Sequence, residues 1–89
     1  MSRASQIRGL TPARHRVIRA VQDHWDEWGF SPSIRGLMRV LKVSSTNAMS
    51  DMLKILEREQ LVTRVQGVPR SIVITDKGRK ELREWETQR

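Results

Sequence analysis

A mainly α-helical fold closed by a small β-hairpin is what the 89-residue sequence predicts: three helices, a two-stranded hairpin and one extra C-terminal helix. Three observations carry that expectation. Apolar residues recur at helical spacing over three successive stretches before residue 60. The period then changes to β-branched runs on either side of Gln66-Gly67-Val68-Pro69, a turn sequence. Threonine or serine stands just ahead of each helical stretch, where a hydroxyl can accept from the free N–H groups of a first turn.

Taken in order, residues 1–10 are polar with scattered apolar positions and are expected to form a flexible basic arm. Thr11-Pro12 starts the first helix, with Thr as cap and Pro at the first helical position. Val17, Ile18, Val21, Trp25 and Trp28 follow helical spacing, and Gly29 ends the run. Phe30-Ser31-Pro32 is a connector. Ser33 then caps a second helix whose Ile34, Leu37, Met38 and Leu41 share one face. A turn at Lys42-Val43-Ser44 leads into a third helix, from near Ser45 to about Glu59. Its apolar stripe is Met49, Met52, Leu53 and Leu56; the opposite stripe, Asn47, Ser50, Asp51, Lys54 and Arg58, is polar throughout. Residues 61–65 and 70–75 are expected as the two strands of the hairpin. Thr75 or Asp76 then caps a helix from about Lys77 to Glu86, with Leu82 and Trp85 as its only large apolar residues. Two helices joined by a three-residue turn, followed by a hairpin, make a winged helix-turn-helix over residues 11–75. Residues 76–89 are an added terminal helix. In that arrangement the second helix of the pair enters the major groove, and the hairpin can touch the backbone or minor groove beside it.

Composition narrows the function. The chain is the size of one domain. Lys and Arg number 17 against 10 Asp and Glu, a net charge of +7, which favours a polyanionic partner. Residues 33–74 alone carry seven basic and three acidic side chains. Cysteine is absent, which excludes disulfides, thiol nucleophiles and Cys-based zinc sites and fits a reducing compartment. Apolar runs are too short for a membrane span, and MSRASQIRGL has no signal-peptide core. The expected location is the cytoplasm, on the nucleoid.

The polar stripe of the third helix is the first candidate site. Asn47 has the chemistry for a bidentate contact to adenine, Ser50 can donate or accept, and Asp51 can accept from cytosine. Ser45 and Thr46 lie at the helix N-terminus, where hydroxyls and N–H groups suit a phosphate. Lys54 and Arg58 lie further along and suit phosphates. Arg35, and Arg64, Gln66 and Arg70 in the wing, are candidates for backbone contact. Each has a plainer reading. Any surface helix shows a polar stripe, Ser45 serves equally as a cap, Arg58 as a partner of nearby glutamates, and Arg35 as a solvated side chain. The conjunction of stripe, turn, hairpin and local charge favours nucleic acid.

Several segments also resemble a known family. They are Leu10-Thr11-Pro12-Ala13-Arg14, Gly29-Phe30-Ser31-Pro32-Ser33-Ile34-Arg35, Ser44-Ser45-Thr46-Asn47-Ala48, the run from Leu53 to Val62, and Pro69-Arg70-Ser71-Ile72-Val73-Ile74. Together they make residues 10–75 similar to the N-terminal DNA-binding domain of LexA SOS repressors. The resemblance implies that a Ser-x-Asn-Ala segment reads bases, which falls on Ser45, Asn47 and Ala48, with the next turn on Ser50 and Asp51. Ser33 and Arg35 fall in the Gly-x-x-Pro-Ser-x-Arg segment, at the backbone-facing start of the second helix. Lys42 stands where the family usually has Gly in the turn. No linker with a cleavable Ala-Gly pair follows, and the Ser/Lys self-cleaving domain of the family is absent from the 89 residues. The charged terminal helix in its place is expected of a whole small protein. The run Ile74-Thr75-Asp76-Lys77-Gly78-Arg79 is also similar to the post-wing junction of MarR-type winged helices, where terminal helices dimerise. Leu82 and Trp85 are therefore candidates for a homodimer contact, or else for packing on this chain's own core. Trp25 and Trp28 pose the same choice.

The expected function is a small LexA-like repressor that binds double-stranded DNA and acts by occupying an operator. Two alternatives stand beside it: a DNA-architecture factor of the excisionase or partition type, and a winged-helix protein adaptor. An enzyme is not expected. His15 and His24 are nine residues apart and make no metal pair, no serine has a matched base, and no phosphate loop is present. No cofactor, metal or small-molecule ligand is expected.

Overall fold

A computed structural model describes residues 10–87. The expected arm lies outside these residues except for Leu10, which is buried in the core. Helix α1 spans Pro12–Trp28; Thr11 Oγ1 accepts from Arg14 N at 3.2 Å, and Gly29, at φ 78°, closes the helix. Helix α2 spans Ile34–Leu41, capped by Ser33, whose Oγ accepts from Gly36 N. Helix α3 spans Thr46–Arg58, capped by Ser45 through Ala48 N. Strands β1 (Val62–Thr63) and β2 (Val73–Ile74) pair antiparallel, Val62 opposite Ile74 and Thr63 opposite Val73. Helix α4 runs Asp76–Thr87, one residue longer at each end than its sequence pattern indicates. Thr75 is its cap, accepting from Gly78 N at 2.9 Å. No helix among the described residues is long and apolar enough to cross a membrane.

The architecture is the winged helix-turn-helix, mainly helical with a small hairpin. The strands are shorter than 61–65 and 70–75, for a local reason. Ser71 Oγ accepts from Val65 N at 2.9 Å and donates to Val68 O at 2.9 Å. The side chain thus takes up backbone groups that a longer ladder would use, and Arg70 at φ 57° breaks the extended run. The wing is an ordered loop standing on a two-pair ladder.

One core of thirteen side chains, Leu10 to Leu82, joins all the elements. Helix α1 is its centre: Val17, Ile18 and Val21 are buried, and the helix packs against α2, α4 and β2. Helix α3 docks on α2 and β1 through Met49, Leu53 and Leu56, leaving its other side outward. The wing's return is fixed to the α1–α2 connector. Buried Ser31 Oγ accepts from Ile72 N, and the Trp25 indole N–H donates to Ile72 O, both at 2.9 Å. Between the two readings of Trp25, this half-buried packing within the chain is the one observed.

Candidate nucleic-acid interface

The lower face of the domain is built by α3. Its apolar stripe is pinned in the core, so the remaining positions are turned out by the 3.6-residue period alone. Ser45, Thr46, Asn47, Ala48, Asp51, Lys54 and Arg58 are exposed, and Ser50 is half-buried beside Met49. Asn47, Asp51, Lys54 and Arg58 fall at i, i+4, i+7 and i+11, one line along the helix. None of the four makes a side-chain hydrogen bond or ion pair among the described residues. Ser45 does act as a cap, yet its hydroxyl proton stays available. The N–H groups of Thr46 and Asn47 stand free of the cap at the positive end of the helix dipole.

The approach of α3 to α2 is set by the turn between them. Lys42, at φ 58° and ψ 43°, occupies the left-handed region, and Val43 N closes onto Met38 O at 2.9 Å. The position where a glycine suits the backbone is therefore held by a lysine whose side chain is exposed.

The candidate backbone contacts are brought together beside α3. Ser33 and Arg35 at the start of α2, with Arg64, Gln66 and Arg70 of the wing, line one open groove of about 430 Å³. Arg35 and Gln66 are exposed there. Arg70 is exposed as well, but it is held in place: its guanidinium lies 5.2 Å above the Phe30 ring, and Nη1 donates to Ser31 O at 3.3 Å. Ser33 is engaged as the α2 cap. Arg64 departs from the expectation of a phosphate contact. Its Nε donates to Glu57 Oε2 at 2.7 Å, and only 11% of the side chain is exposed. This pair bolts the wing to α3. The sequence signal that was missed is Glu57 itself, next to buried Leu56 on the side of α3 that faces β1.

Helix α4 carries Leu82 and Trp85 onto this chain's own core. Leu82 is buried in the chain's own core, and Trp85 packs against that core and stacks on His15 at 5.5 Å. Beside the stack, His15 Nε2 and Arg19 Nη1 meet Glu86 at 2.9 and 3.0 Å. The hydrogen bond to His15, and next those to Arg19, hold the Glu86 carboxyl below its ordinary range. His24 is likewise occupied, with Nδ1 2.8 Å from Phe30 O. Trp28, by contrast, stays 58% exposed.

With this geometry in hand, comparison with known proteins is direct. The family model of the LexA DNA binding domain matches residues 7–71, well over half the chain. A LexA repressor of Lactobacillus helveticus is 38% identical over 66 residues, 74% of this chain and 32% of that protein. A LexA repressor of Anaeromyxobacter dehalogenans (strain 2CP-1 / ATCC BAA-258) is 32% identical over 81 residues, 91% of this chain and 36% of that protein. A LexA repressor of Geobacter metallireducens is 31% identical over 71 residues, 80% and 35% respectively. The chain thus spans about a third of the length of the curated relatives it matches. The matched residues take in α1, α2, α3, β1 and the wing up to Ser71, and on that match the chain belongs to the LexA DNA-binding-domain family.

Proposed function

We propose that this chain is the operator-reading module of a sequence-specific transcriptional repressor. Helix α3 lies in the major groove of double-stranded DNA, and the wing and the start of α2 rest on the flanking backbone. One observation carries the reading: the outward face of α3 holds Asn47, Asp51, Lys54 and Arg58 without partners among the described residues. A row of unpaired polar groups on an exposed helix beside a basic groove is complementary to base edges flanked by phosphates.

The roles follow from donor and acceptor chemistry. Asn47 suits adenine bidentately, Asp51 accepts from cytosine N4, Ser50 donates or accepts, and the Ala48 methyl suits a thymine methyl. Ser45 adds a hydroxyl at the first turn. Thr46 and the free N–H groups suit a phosphate, and Lys54, Arg35, Gln66 and Arg70 suit others. The relatives carry the name repressor, which supports occlusion of a promoter as the mode of action.

Selection from a random duplex library, with affinity measured at two salt concentrations, tests the reading. An enriched site that beats mixed sequence by about a thousandfold is expected. Asn47→Ala should cost about 1–3 kcal/mol and relax preference at one base pair, whereas Lys54→Ala should weaken all sequences alike and flatten the salt slope by about one. If Asn47→Ala leaves both affinity and sequence ranking unchanged, α3 is not the reader. A steep salt slope with no enriched site would favour an architectural role.

A further inference from the structure

Two aromatic rings face solvent side by side. Trp28 is 58% exposed and Phe30 44% exposed, and their centroids are 6.4 Å apart. Both line one open groove of about 590 Å³ between the second half of α1 and α2, and no residue of α3 lines it. The aromatic floor is braced from behind. His24 packs edge-on to Phe30 at 5.2 Å, its Nδ1 lies 2.8 Å from Phe30 O, and Arg70 covers the Phe30 ring from the wing. The Trp28 indole N–H makes no hydrogen bond among the described residues.

The walls of the groove differ in charge. Asp23 and Glu27 stand on α1, Arg39 stands on α2, and Arg70 reaches in from the wing. Asp23 is taken by Arg19 at 2.8 Å, and Arg70 is taken by Phe30 and Ser31 O. Glu27 and Arg39 are exposed and make no side-chain hydrogen bond or ion pair among the described residues. An unpaired carboxylate and an unpaired guanidinium therefore stand on either side of an aromatic floor. A polyanion is repelled by the first wall and a polycation by the second. A purely apolar ligand leaves both charges without a partner.

We propose that this groove binds a small aromatic zwitterion, of the size and chemistry of an aromatic amino acid. The ligand's ring stacks on Trp28 beside Phe30, in the offset arrangement that aromatic pairs favour. Its ammonium meets Glu27. Its carboxylate meets Arg39, whose planar fork of donors matches a carboxylate. The reach is sufficient, because the axes of packed helices lie about 8–10 Å apart and the extended side chains of the two walls converge over the floor. The volume also agrees, since small-molecule sites run from about 300 to 1,000 Å³. The α1 wall extends only from Ala20 to Trp28, about 12 Å of helix. That is short of the length over which a partner helix would need to lie, and it suits a compact ligand.

Nuclear magnetic resonance titration of the isotope-labelled full chain, without DNA, tests this independently of operator reading. The probes are L-phenylalanine and L-tryptophan, and the signals are the indole N–H resonances of the three tryptophans. The Trp28 resonance should shift and saturate with a Kd on the order of 1 mM, as expected of so few ligand atoms in an open groove. The Trp25 resonance is held on Ile72 O and should stay in place. Phenethylamine lacks the carboxylate and hydrocinnamate lacks the ammonium, so each should bind about tenfold more weakly than L-phenylalanine. Arg39→Gln should abolish the preference over phenethylamine, and Glu27→Gln the preference over hydrocinnamate, with unchanged melting. No saturable Trp28 shift with either amino acid up to about 20 mM, roughly twentyfold above that Kd, overturns the proposal. Equal binding of L-phenylalanine and its two single-charge analogues also overturns it, since stacking alone then accounts for the contact.

Discussion

Replacing Gly78 by alanine sets two physical effects of opposite sign against each other. Gly78 is the third residue of α4, where alanine is the better helix former by about 1 kcal/mol. The position is not open, however. A Cβ there would lie 2.2 Å from Leu61 O and 2.8 Å from Ile74 Cγ2. The first distance falls about 1 Å short of ordinary van der Waals contact. The backbone neighbour cannot yield cheaply, because Leu61 O accepts from both Thr75 N and Thr75 Oγ1, at 3.1 and 3.2 Å. Displacing the first turn of α4 therefore adds an overpacking cost of about 1–3 kcal/mol to two weakened hydrogen bonds of about 1 kcal/mol each. After the helix gain is subtracted, the net loss is about 2–4 kcal/mol. A domain of 89 residues has roughly 4–13 kcal/mol in all. Melting followed by far-UV circular dichroism should fall by roughly 4–8 °C per kcal/mol, hence by about 10–30 °C. A midpoint that is unchanged or raised would show that α4 does not press on Leu61 and Ile74 as described, and that propensity alone governs the site.

Further outcomes are expected from the ion pairs and the turn. Arg64→Ala and Glu57→Ala should each destabilise by about 1–2 kcal/mol in urea titration, with the double variant little worse than either single one; additive losses would refute the pairing. Glu86 is held below its ordinary range in the folded chain by His15 and then Arg19, so its contribution is complete above the unfolded value of about 4.3 and is lost as pH falls through the lower folded value. The difference in melting midpoint between the unaltered chain and Glu86→Gln should accordingly shrink between about pH 5 and pH 3, and a constant difference would remove Glu86 from the acid transition. Lys42→Gly should stabilise by about 1 kcal/mol through relief of a left-handed lysine, and should reduce DNA affinity more at low salt than at high salt.

What was legible in the sequence was mostly local. Thr11, Ser33 and Ser45 announce helix starts because a hydroxyl one step before a helix has one nearby donor to satisfy, and all three caps form. The outward stripe of α3 was legible because periodicity alone fixes which side of a helix is free. The strand limits were not. They depend on Ser71 taking Val65 N, a contact between residues six apart that no alternation pattern encodes. Arg64 was out of reach for a similar reason: its partner Glu57 lies on another element, and only the turn at Gln60 brings them together. The fate of Leu82 and Trp85 hung on α4 folding back onto α1, where His15 supplies the ring for the stack. The groove lined by Asp23, Glu27, Arg39 and Arg70 joins α1, α2 and the wing, so it exists only once all three are packed.

The corners that aim the candidate interface share an unexpected chemistry. Lys42 turns α2 into α3, Gln60 turns α3 into β1, and Arg70 turns the wing into its return strand; all three have left-handed backbones. Glycine would relieve about 1 kcal/mol at each, and this chain does use glycine in that conformation at Gly29 and Gly67. Side chains are therefore kept at three corners against a combined strain of about 3 kcal/mol, a sizeable share of a small domain's stability. At Arg70 the return is structural: its guanidinium covers Phe30 and reaches Ser31 O, anchoring the wing to the connector. Lys42 has no such return, since its side chain is exposed and makes no ion pair among the described residues. Under the DNA reading proposed above, a strained cation with nothing to hold inside the chain finds its partner outside it. At the joint that orients α3, a negatively charged backbone is the partner that would favour lysine over glycine there.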